Sequence, residues 1–117
     1  RVVEENFPNG KEKIVRYYKD SKNEKILLSE EQYYDNGQIK SKGDFKNNQR
    51  HGLWTYWYEN GNVWSEGKFK NGLSHGFRKV YHPNGEIYYE GKYKNDKPIG
   101  TWTFWDEEGR FIKEHKY

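Results

Sequence analysis

The chain repeats itself every 24 residues, and this period constrains its fold more than any other feature of the sequence. In four copies a glycine follows an aromatic residue at a spacing of four positions. The four aromatic residues are Tyr33, Trp57, Tyr81 and Trp105, and the glycines are Gly37, Gly61, Gly85 and Gly109. A period of this length is typical of a stacked array of small units rather than of a globule with one enclosed catalytic pocket. The sequence therefore favours a binding or structural role over an enzymatic one.

Aromatic side chains must supply most of the buried surface. Only 32% of the 117 residues are apolar and 33% are charged, a composition that on its own would indicate disorder. However, 19% of the residues are Phe, Trp or Tyr, and disordered segments generally lack such large buriable rings. We therefore expect a folded domain whose core is built of rings.

The charge balance and the missing residue types exclude several functions. The chain has 21 Lys and Arg against 18 Asp and Glu, and this near balance argues against a nucleic acid partner. It has no cysteine, which excludes a disulfide framework and a thiolate metal site, and we expect no cofactor and no metal. The chain begins at Arg1 and contains no methionine, so we expect an exported protein rather than a cytoplasmic one.

The Asn-Gly dipeptides predict β-hairpins, because both central residues of a type I′ turn need a positive φ. The second connection of each repeat, as in residues 70–76, is longer and more polar. The pattern predicts an all-β fold with no helix, in which antiparallel hairpins form one elongated, twisted meander sheet. We expect about nine strands, at residues 11–18, 25–32, 38–46, 52–58, 62–70, 76–82, 86–94, 100–106 and 110–116.

The chain divides into an irregular and a regular part. Residues 33–117 hold tandem 24-residue repeats that end in a half repeat, whereas residues 1–32 break the spacing and carry a distinct Ile26-Leu27-Leu28 cluster. Terminal units of an array must present one face without a neighbour. We therefore expect residues 1–32 to be a divergent capping repeat of one continuous domain.

Counting outward from a two-residue turn at Asn60-Gly61 fixes the strand register. The expected facing pairs are Tyr58–Val63, Trp57–Trp64, Tyr56–Ser65, Thr55–Glu66 and Trp54–Gly67. In other copies the same register gives the pairs Lys79–Glu90 and Glu31–Lys42. Opposite charges are favoured as cross-strand neighbours, and this supports the register.

The register also predicts what covers the glycines in the middle of the strands. It places Trp54 over Gly67, Arg78 over Gly91 and Trp102 over His115. A large side chain lying over a glycine shields bare strand backbone. This explains why Gly43, Gly67 and Gly91 can lie in strand interiors.

Alternation then assigns the rings to two faces. The expected core face carries Ile39, Phe45, Trp54, Tyr56, Val63, Phe69, Val80, Ile87, Tyr93, Trp102 and Phe104. The other face carries a ladder of rings with steps of about 10 Å, namely Tyr33, Trp57, Trp64, Tyr81, Tyr88 and Trp105, with Ile112 beside the last. A single layer cannot bury its core face alone, so we expect strong curling or a homodimer through the sheet face.

The six rings of the ladder are the candidate binding residues. Flat rings at regular spacing can stack on sugars or on apolar side chains, but they can equally pack only on one another, and both interpretations stay open. His51 and His75 are two strand spacings apart, too far to share one metal ion, and we interpret them as loop residues. Glu66 and Glu90 would be roughly 10 Å apart, slightly beyond the range for an inverting glycosidase, so we assign no catalytic residue.

The elements YxxNG, EGxxKNG and HGxW resemble MORN (membrane occupation and recognition nexus) repeats in their variant bacterial form, over about residues 33–117. The resemblance implies a non-enzymatic scaffold, and some relatives carry the label of antitoxin. Lys42, Arg78 and Ile99 depart from the pattern, where Glu, Trp and His are expected. We expect a scaffold that binds a protein partner through the ladder. The alternatives are an antitoxin or immunity protein that masks a toxin, and a surface module for glycans or lipid headgroups.

Overall fold

The computed structural model describes all 117 residues, and its regular elements are all β-strands. They are β1 (Val2–Asn6), β2 (Glu12–Ser21), β3 (Glu24–Tyr33), β4 (Ile39–Lys46), β5 (Gln49–Trp57), β6 (Val63–Lys70), β7 (Leu73–Tyr81), β8 (Ile87–Lys94), β9 (Lys97–Trp105) and β10 (Phe111–Lys116). Consecutive strands pair antiparallel in one sheet of order β1 to β10. The predicted helix-free meander is confirmed. The sequence missed β1, whose acidic second half has no apolar alternation and which is held by its pairing with β2.

The sheet is open and one layer thick. Its extents are 51 × 34 × 15 Å, and the shortest of these leaves room for one sheet with side chains on both faces. Only 9 of the 117 residues are buried. The strong curling that we expected is therefore not seen. The other expectation, a homodimer through the sheet face, stays a prediction.

Two kinds of turn alternate along the chain, and one kind joins strands through two residues. Both of these residues have a positive φ, as at Asn71 (53°) and Gly72 (81°), which is the signature of a type I′ turn. The flanking residues Lys70 and Leu73 pair directly. The other turns of this kind are Lys22-Asn23, Asn47-Asn48 and Asn95-Asp96. The prediction of a longer second connection is wrong, because residues 73–76 already belong to β7.

The turns at the aromatic motif are of the other kind. At Asn60-Gly61 only the glycine has a positive φ, 92°. The Gly61 N–H donates to the Tyr58 carbonyl (3.0 Å) and the Tyr58 N–H donates to the Asn62 carbonyl (2.8 Å), the pattern of a type I turn closed by a left-handed glycine. The Asn60 side chain accepts a hydrogen bond from the Asn62 N–H (2.9 Å). The predicted type I′ turn is wrong here, because Asn60 does not have the positive φ that this turn needs and stabilises the turn with its side-chain oxygen instead.

This turn type adds one residue to the strand that follows it. Tyr56 pairs with Ser65 as predicted, but Trp57 pairs with Val63, so Trp64 is an extra residue in β6. In such a bulge the extra residue and its successor oppose the same partner and lie on the same side of the sheet. The predicted pairs from Trp54 to Tyr56 are confirmed, as are Lys79–Glu90 and Glu31–Lys42. The predicted pairs Tyr58–Val63 and Trp57–Trp64 are wrong.

The bulges redistribute the side chains between the two faces. We define the core face as the face that carries Trp54, Tyr56, Phe69, Val80 and Trp102, and the ladder face as the face that carries Tyr33, Trp57, Tyr81 and Trp105. The aliphatic residues Ile39, Val63 and Ile87 were predicted on the core face but pair with ladder rings and lie on the ladder face. The residues Trp64, Tyr88 and Ile112 were predicted on the ladder face but are the extra residues of bulges and lie on the core face.

Large side chains cover the glycines on the core face, although each of them covers a different residue from the one that we predicted. Trp54 pairs with Gly67 on one side and with Gly43 on the other, and its ring lies on Gly43. In the same way Arg78 lies on Gly67 and Trp102 lies on Gly91. Each side chain leans toward the preceding strand. Trp54 and Trp102 are only 1% and 4% exposed as a result.

An ion pair replaces this packing at the N-terminal end. Glu30 occupies the place of Trp54 one repeat earlier, and it faces Arg16 on β2 and Gly43 on β4. An Arg16 guanidinium nitrogen lies 3.0 Å from a Glu30 carboxylate oxygen, and Glu30 is 4% exposed. Burial lowers the pKa of Arg16, but the hydrogen bond and charge of Glu30, together with a smaller effect of Tyr18, raise this pKa above its ordinary value. The buried carboxylate is therefore paired, as burial of a charge requires.

Alanine at the three equivalent glycines should destabilise the chain to different extents. A methyl group at Gly43 or Gly91 would overlap a buried indole ring, whereas at Gly67 it would meet the flexible side chain of Arg78. We expect Gly43→Ala and Gly91→Ala to lower the free energy of unfolding by about 2–3 kcal/mol, and Gly67→Ala by less than about 1 kcal/mol. Urea unfolding measures all three. Equal losses would contradict the assigned packing.

Glycine in place of asparagine should have opposite effects in the two kinds of turn. Asn48 has a φ of 61° in a type I′ turn, so Asn48→Gly should raise the free energy of unfolding by about 0.5–1 kcal/mol. Asn60→Gly removes hydrogen bonds to the Asn62 N–H and the Pro83 carbonyl, both 2.9 Å, and should cost about 1–2 kcal/mol. Thermal or urea unfolding tests the signs. A gain in both variants would refute the distinction between the turns.

Candidate functional site

The six predicted binding residues lie on two surfaces rather than one. Four of them, Tyr33, Trp57, Tyr81 and Trp105, are the last residues of β3, β5, β7 and β9 and stay together on the ladder face. The other two, Trp64 and Tyr88, lie on the core face. The structure therefore divides the expected site into a ladder of four rings and a separate pair.

The ladder rings are half-buried, and three of them pair with aliphatic residues, while Trp105 pairs with Phe111. Tyr33 faces Ile39, Trp57 faces Val63 and Tyr81 faces Ile87. These contacts cover part of each ring with the first residue of the next strand. The ladder is a row of rings and their partner side chains along the end of the strands at which the type I turns lie.

A row of charged and polar residues crosses the ladder face beside the rings. It runs through Glu31, Lys42, Thr55, Glu66, Lys79, Glu90 and Thr103, each paired with the next. The Tyr81 hydroxyl donates to the Glu66 carboxylate (2.7 Å). Burial and this hydrogen bond raise the pKa of Tyr81 to about 12, so the hydroxyl stays protonated at neutral pH. Glu66 thus serves as a hydrogen-bond acceptor that orients a ring of the ladder.

Trp64 and Tyr88 form an exposed ridge on the core face. Trp64 is 46% exposed and Tyr88 is 42% exposed. The Trp64 ring packs edge to face on Tyr56 at 5.8 Å, and Tyr88 stacks on His82 at 4.5 Å. The bulge turns both rings outward while their neighbours hold them in place.

The residues next to the ridge join one repeat to the next. The Tyr58 hydroxyl donates to the Tyr81 carbonyl (2.7 Å), and Tyr34 makes the equivalent bond to the Trp57 carbonyl (2.6 Å). In the third copy His82 Nε2 lies 3.0 Å from the Trp105 carbonyl, which can only accept, so this nitrogen carries the hydrogen. These bonds fix the spacing of the ridge from repeat to repeat.

Rings pack edge to face around each tryptophan of the core face. Trp54 lies 5.2 Å from Phe45 in a T-shaped contact, and Trp102 lies 5.1 Å from Tyr93 in the same geometry. Such contacts add to the burial of the rings. Between these two clusters a hollow of about 440 Å³ opens beside Trp64, with Arg50 and Arg78 in its walls.

The arginines of this hollow were not among the binding residues predicted from the sequence. Arg78 was visible as a departure from the repeat pattern, because it stands where tryptophan is expected. Arg50 carried no signal in the sequence. Its position depends on the two extra residues of β5, where Trp54 faces Gly43 and His51 faces Asp44. A register irregularity of this kind cannot be read from hydrophobic alternation.

The interpretation of His51 and His75 as loop residues is wrong, because they lie inside β5 and β7, next to register irregularities at the opposite end of the strands. The Nδ1 atoms of His51 and His75 are buried and have no hydrogen-bond partner. No group of three or more His, Asp or Glu side chains is arranged to hold a metal ion. The chain contains no helix, and therefore none that is long and apolar enough to cross a lipid bilayer.

Comparison with known proteins agrees with this geometry. The family described as MORN repeat variant matches residues 29–47, 50–71 and 75–95, which together make up more than half of the chain. Each matched segment contains one Asn-Gly type I turn with most of the strand on either side of it. No curated protein and no solved structure gave a match to the chain.

Proposed function

The chain belongs to the MORN repeat family, and from this premise we propose that it is a non-enzymatic scaffold that binds a partner protein through the exposed rings of its core face. The family consists of scaffold repeats that are typically non-catalytic. The open sheet offers two broad faces, and we assign partner binding to the one that carries Trp64 and Tyr88. The observation that carries the proposal is the exposure of these two rings, 46% and 42%.

Exposed rings on a rigid support are suited to binding. Aromatic residues are enriched at the centres of protein interfaces, and an exposed apolar cluster is costly unless a partner covers it. Tyr56 and Tyr58 hold Trp64, while His82 and Tyr89 hold Tyr88. Little side-chain freedom remains to be lost on binding, and this favours affinity.

The size of the face supports a protein rather than a small ligand as the partner. The sheet measures 51 × 34 Å in its plane. A stable protein complex buries about 800 Å² on each partner, which a face of this size can supply. The hollow beside Trp64 is open along the sheet and would enclose a small molecule on one side only.

The ladder face is the second candidate surface. Its rings remain partly accessible at the end of the strands that carries the type I turns, namely Tyr33, Trp57, Tyr81 and Trp105. Nothing in the chain packs over them. They are half-buried against the first residue of the next strand, however, and therefore offer less area than Trp64 and Tyr88. We assign them a smaller part in binding.

Two matched double variants separate the faces. Trp64→Ala/Tyr88→Ala removes one tryptophan and one tyrosine from the core face, and Trp57→Ala/Tyr81→Ala removes the same residue types from the ladder face. Wild type and both variants serve as baits in quantitative pull-downs from the native host. We expect the core-face variant to lose its specific partner by about thirtyfold or more, since ring truncation at an interface centre costs about 2 kcal/mol or more.

Circular dichroism and thermal unfolding serve as the control that both variants are folded. Retention of the partner by the ladder-face variant supports the assignment. Loss only in that variant would move the binding surface to the ladder face. Recovery of the same proteins by all three baits would refute binding through the rings.

A further inference from the structure

Arg78 occupies the place on the core face that tryptophan fills in the flanking repeats. Trp54 and Trp102 each lie over a glycine of the preceding strand, and Arg78 lies over Gly67 in the same manner. A guanidinium is planar like an indole but smaller, and it is always charged. The middle of the core face is therefore recessed relative to the surface over Trp54 and Trp102, and it carries more positive charge.

The Arg78 guanidinium is held flat and retains unused donors. Its Nη2 donates to the Ser74 hydroxyl (2.9 Å), and its central carbon lies 5.2 Å from the centre of the Tyr93 ring. A guanidinium has five N–H donors, and the bond to Ser74 is the one that Arg78 makes within the chain. The group is oriented without being satisfied.

Arg50 supplies a second cation to the same place. Its guanidinium carbon lies 4.8 Å from the centre of the Trp54 ring and 5.6 Å from that of Phe69. Arg78 lies 5.6 Å from the same Phe69 ring. The ion pairs of the chain all join residues between Arg1 and Glu30, so neither Arg50 nor Arg78 has a carboxylate partner.

The hollow between the two arginines has aromatic walls and no negative charge. It has a volume of about 440 Å³, and Tyr56, Trp64 and Tyr89 form its apolar walls. No acidic residue lines it. A hollow of about 390 Å³ on the ladder face differs in this respect, because Lys79 and Glu90 lie in its wall together. The positive charge of the core-face hollow is therefore balanced by no residue of its own walls.

We propose that this hollow binds an acidic segment of a partner polypeptide, with a carboxylate between Arg50 and Arg78 and an apolar side chain against Trp64. The proposal rests on the proposed function and names the chemistry of the partner. Arginine and carboxylate form paired, charge-assisted hydrogen bonds, which are stronger than bonds between neutral groups. The rings of the walls shield one side of the pair from water, which strengthens it further.

The charge of the hollow argues against a second copy of this chain as its occupant. In a symmetric dimer whose two-fold axis passes through the middle of the core face, the hollow of one copy meets the hollow of the other. The two arginines of one copy would then face the two arginines of the other, and like charges across an interface are strongly unfavourable. A segment rich in Asp or Glu satisfies the same donors.

Selection from a library of random peptides of about twelve residues tests the proposal. The library is displayed on phage and selected against the full wild-type chain. We expect enrichment of sequences that combine Asp or Glu with an aromatic or aliphatic residue. A recovered peptide is then synthesised with a fluorophore, together with its analogue in which every Asp and Glu is replaced by Asn and Gln. In fluorescence polarisation the analogue should bind about tenfold more weakly or worse.

Matched variants assign the binding to the hollow. Arg78→Trp places in the middle repeat the residue that its neighbours carry, and Arg78→Gln keeps a polar side chain of similar reach should the larger residue misfold. Both should weaken the acidic peptide by about tenfold or more. Arg110→Ala is the control, because it removes the same charge from an exposed turn outside the hollow. It should leave the affinity within about twofold of wild type.

Four results of the binding experiments would overturn the proposal. They are selection of peptides without acidic residues, equal affinity for the amide analogue, equal loss in Arg110→Ala, and displacement of the peptide by millimolar inorganic phosphate. Sedimentation showing a dimer that Arg78→Trp alters would assign the hollow to a second copy and would also overturn it. If the partner from the pull-downs is still lost from Trp64→Ala/Tyr88→Ala, the scaffold function survives this failure.

Discussion

One extra residue after each Asn-Gly turn determines which side chains share a face of the sheet. A turn of two residues would set Trp57 and Trp64 opposite each other on one side. The type I turn closed by Gly61 instead leaves Trp64 without a partner of its own, and the bulge turns it to the side of Tyr56. The exposed ridge, the hollow beside it and the half-buried ladder all follow from this displacement.

A single layer must also build its core without a second layer above it. The chain does so by laying Trp54 and Trp102 flat over glycines, where a side chain would prevent the contact. Arg78 follows the same geometry at the centre, but it replaces an apolar cover with a charge. The repeat thus provides a uniform support, and the departure from the repeat creates the local chemistry. Function in such an array is expected where the copies differ.

The sequence contained most of the fold and only part of the site. The period and the cross-strand charges gave the meander and the register as far as Tyr56, because alternation and turn spacing are local properties. The turn type was not accessible in this way, since Asn60-Gly61 and Asn71-Gly72 are the same dipeptide in two different turns. An error of one residue there moved Trp64 to the wrong face. Arg50 could not be found, because an irregularity in β5 brings it beside Phe69.

The contacts of the Trp64 ring test this account most directly. Nuclear Overhauser effects between aromatic protons can be measured on protein with selectively labelled tryptophan and tyrosine. The account predicts cross-peaks from the Trp64 indole to the rings of Tyr56 and Tyr58, whose centres lie 5.8 and 6.3 Å away, and none to the Trp57 indole. Cross-peaks between the two indoles, without contacts to Tyr56, would place both tryptophans on one face and contradict it.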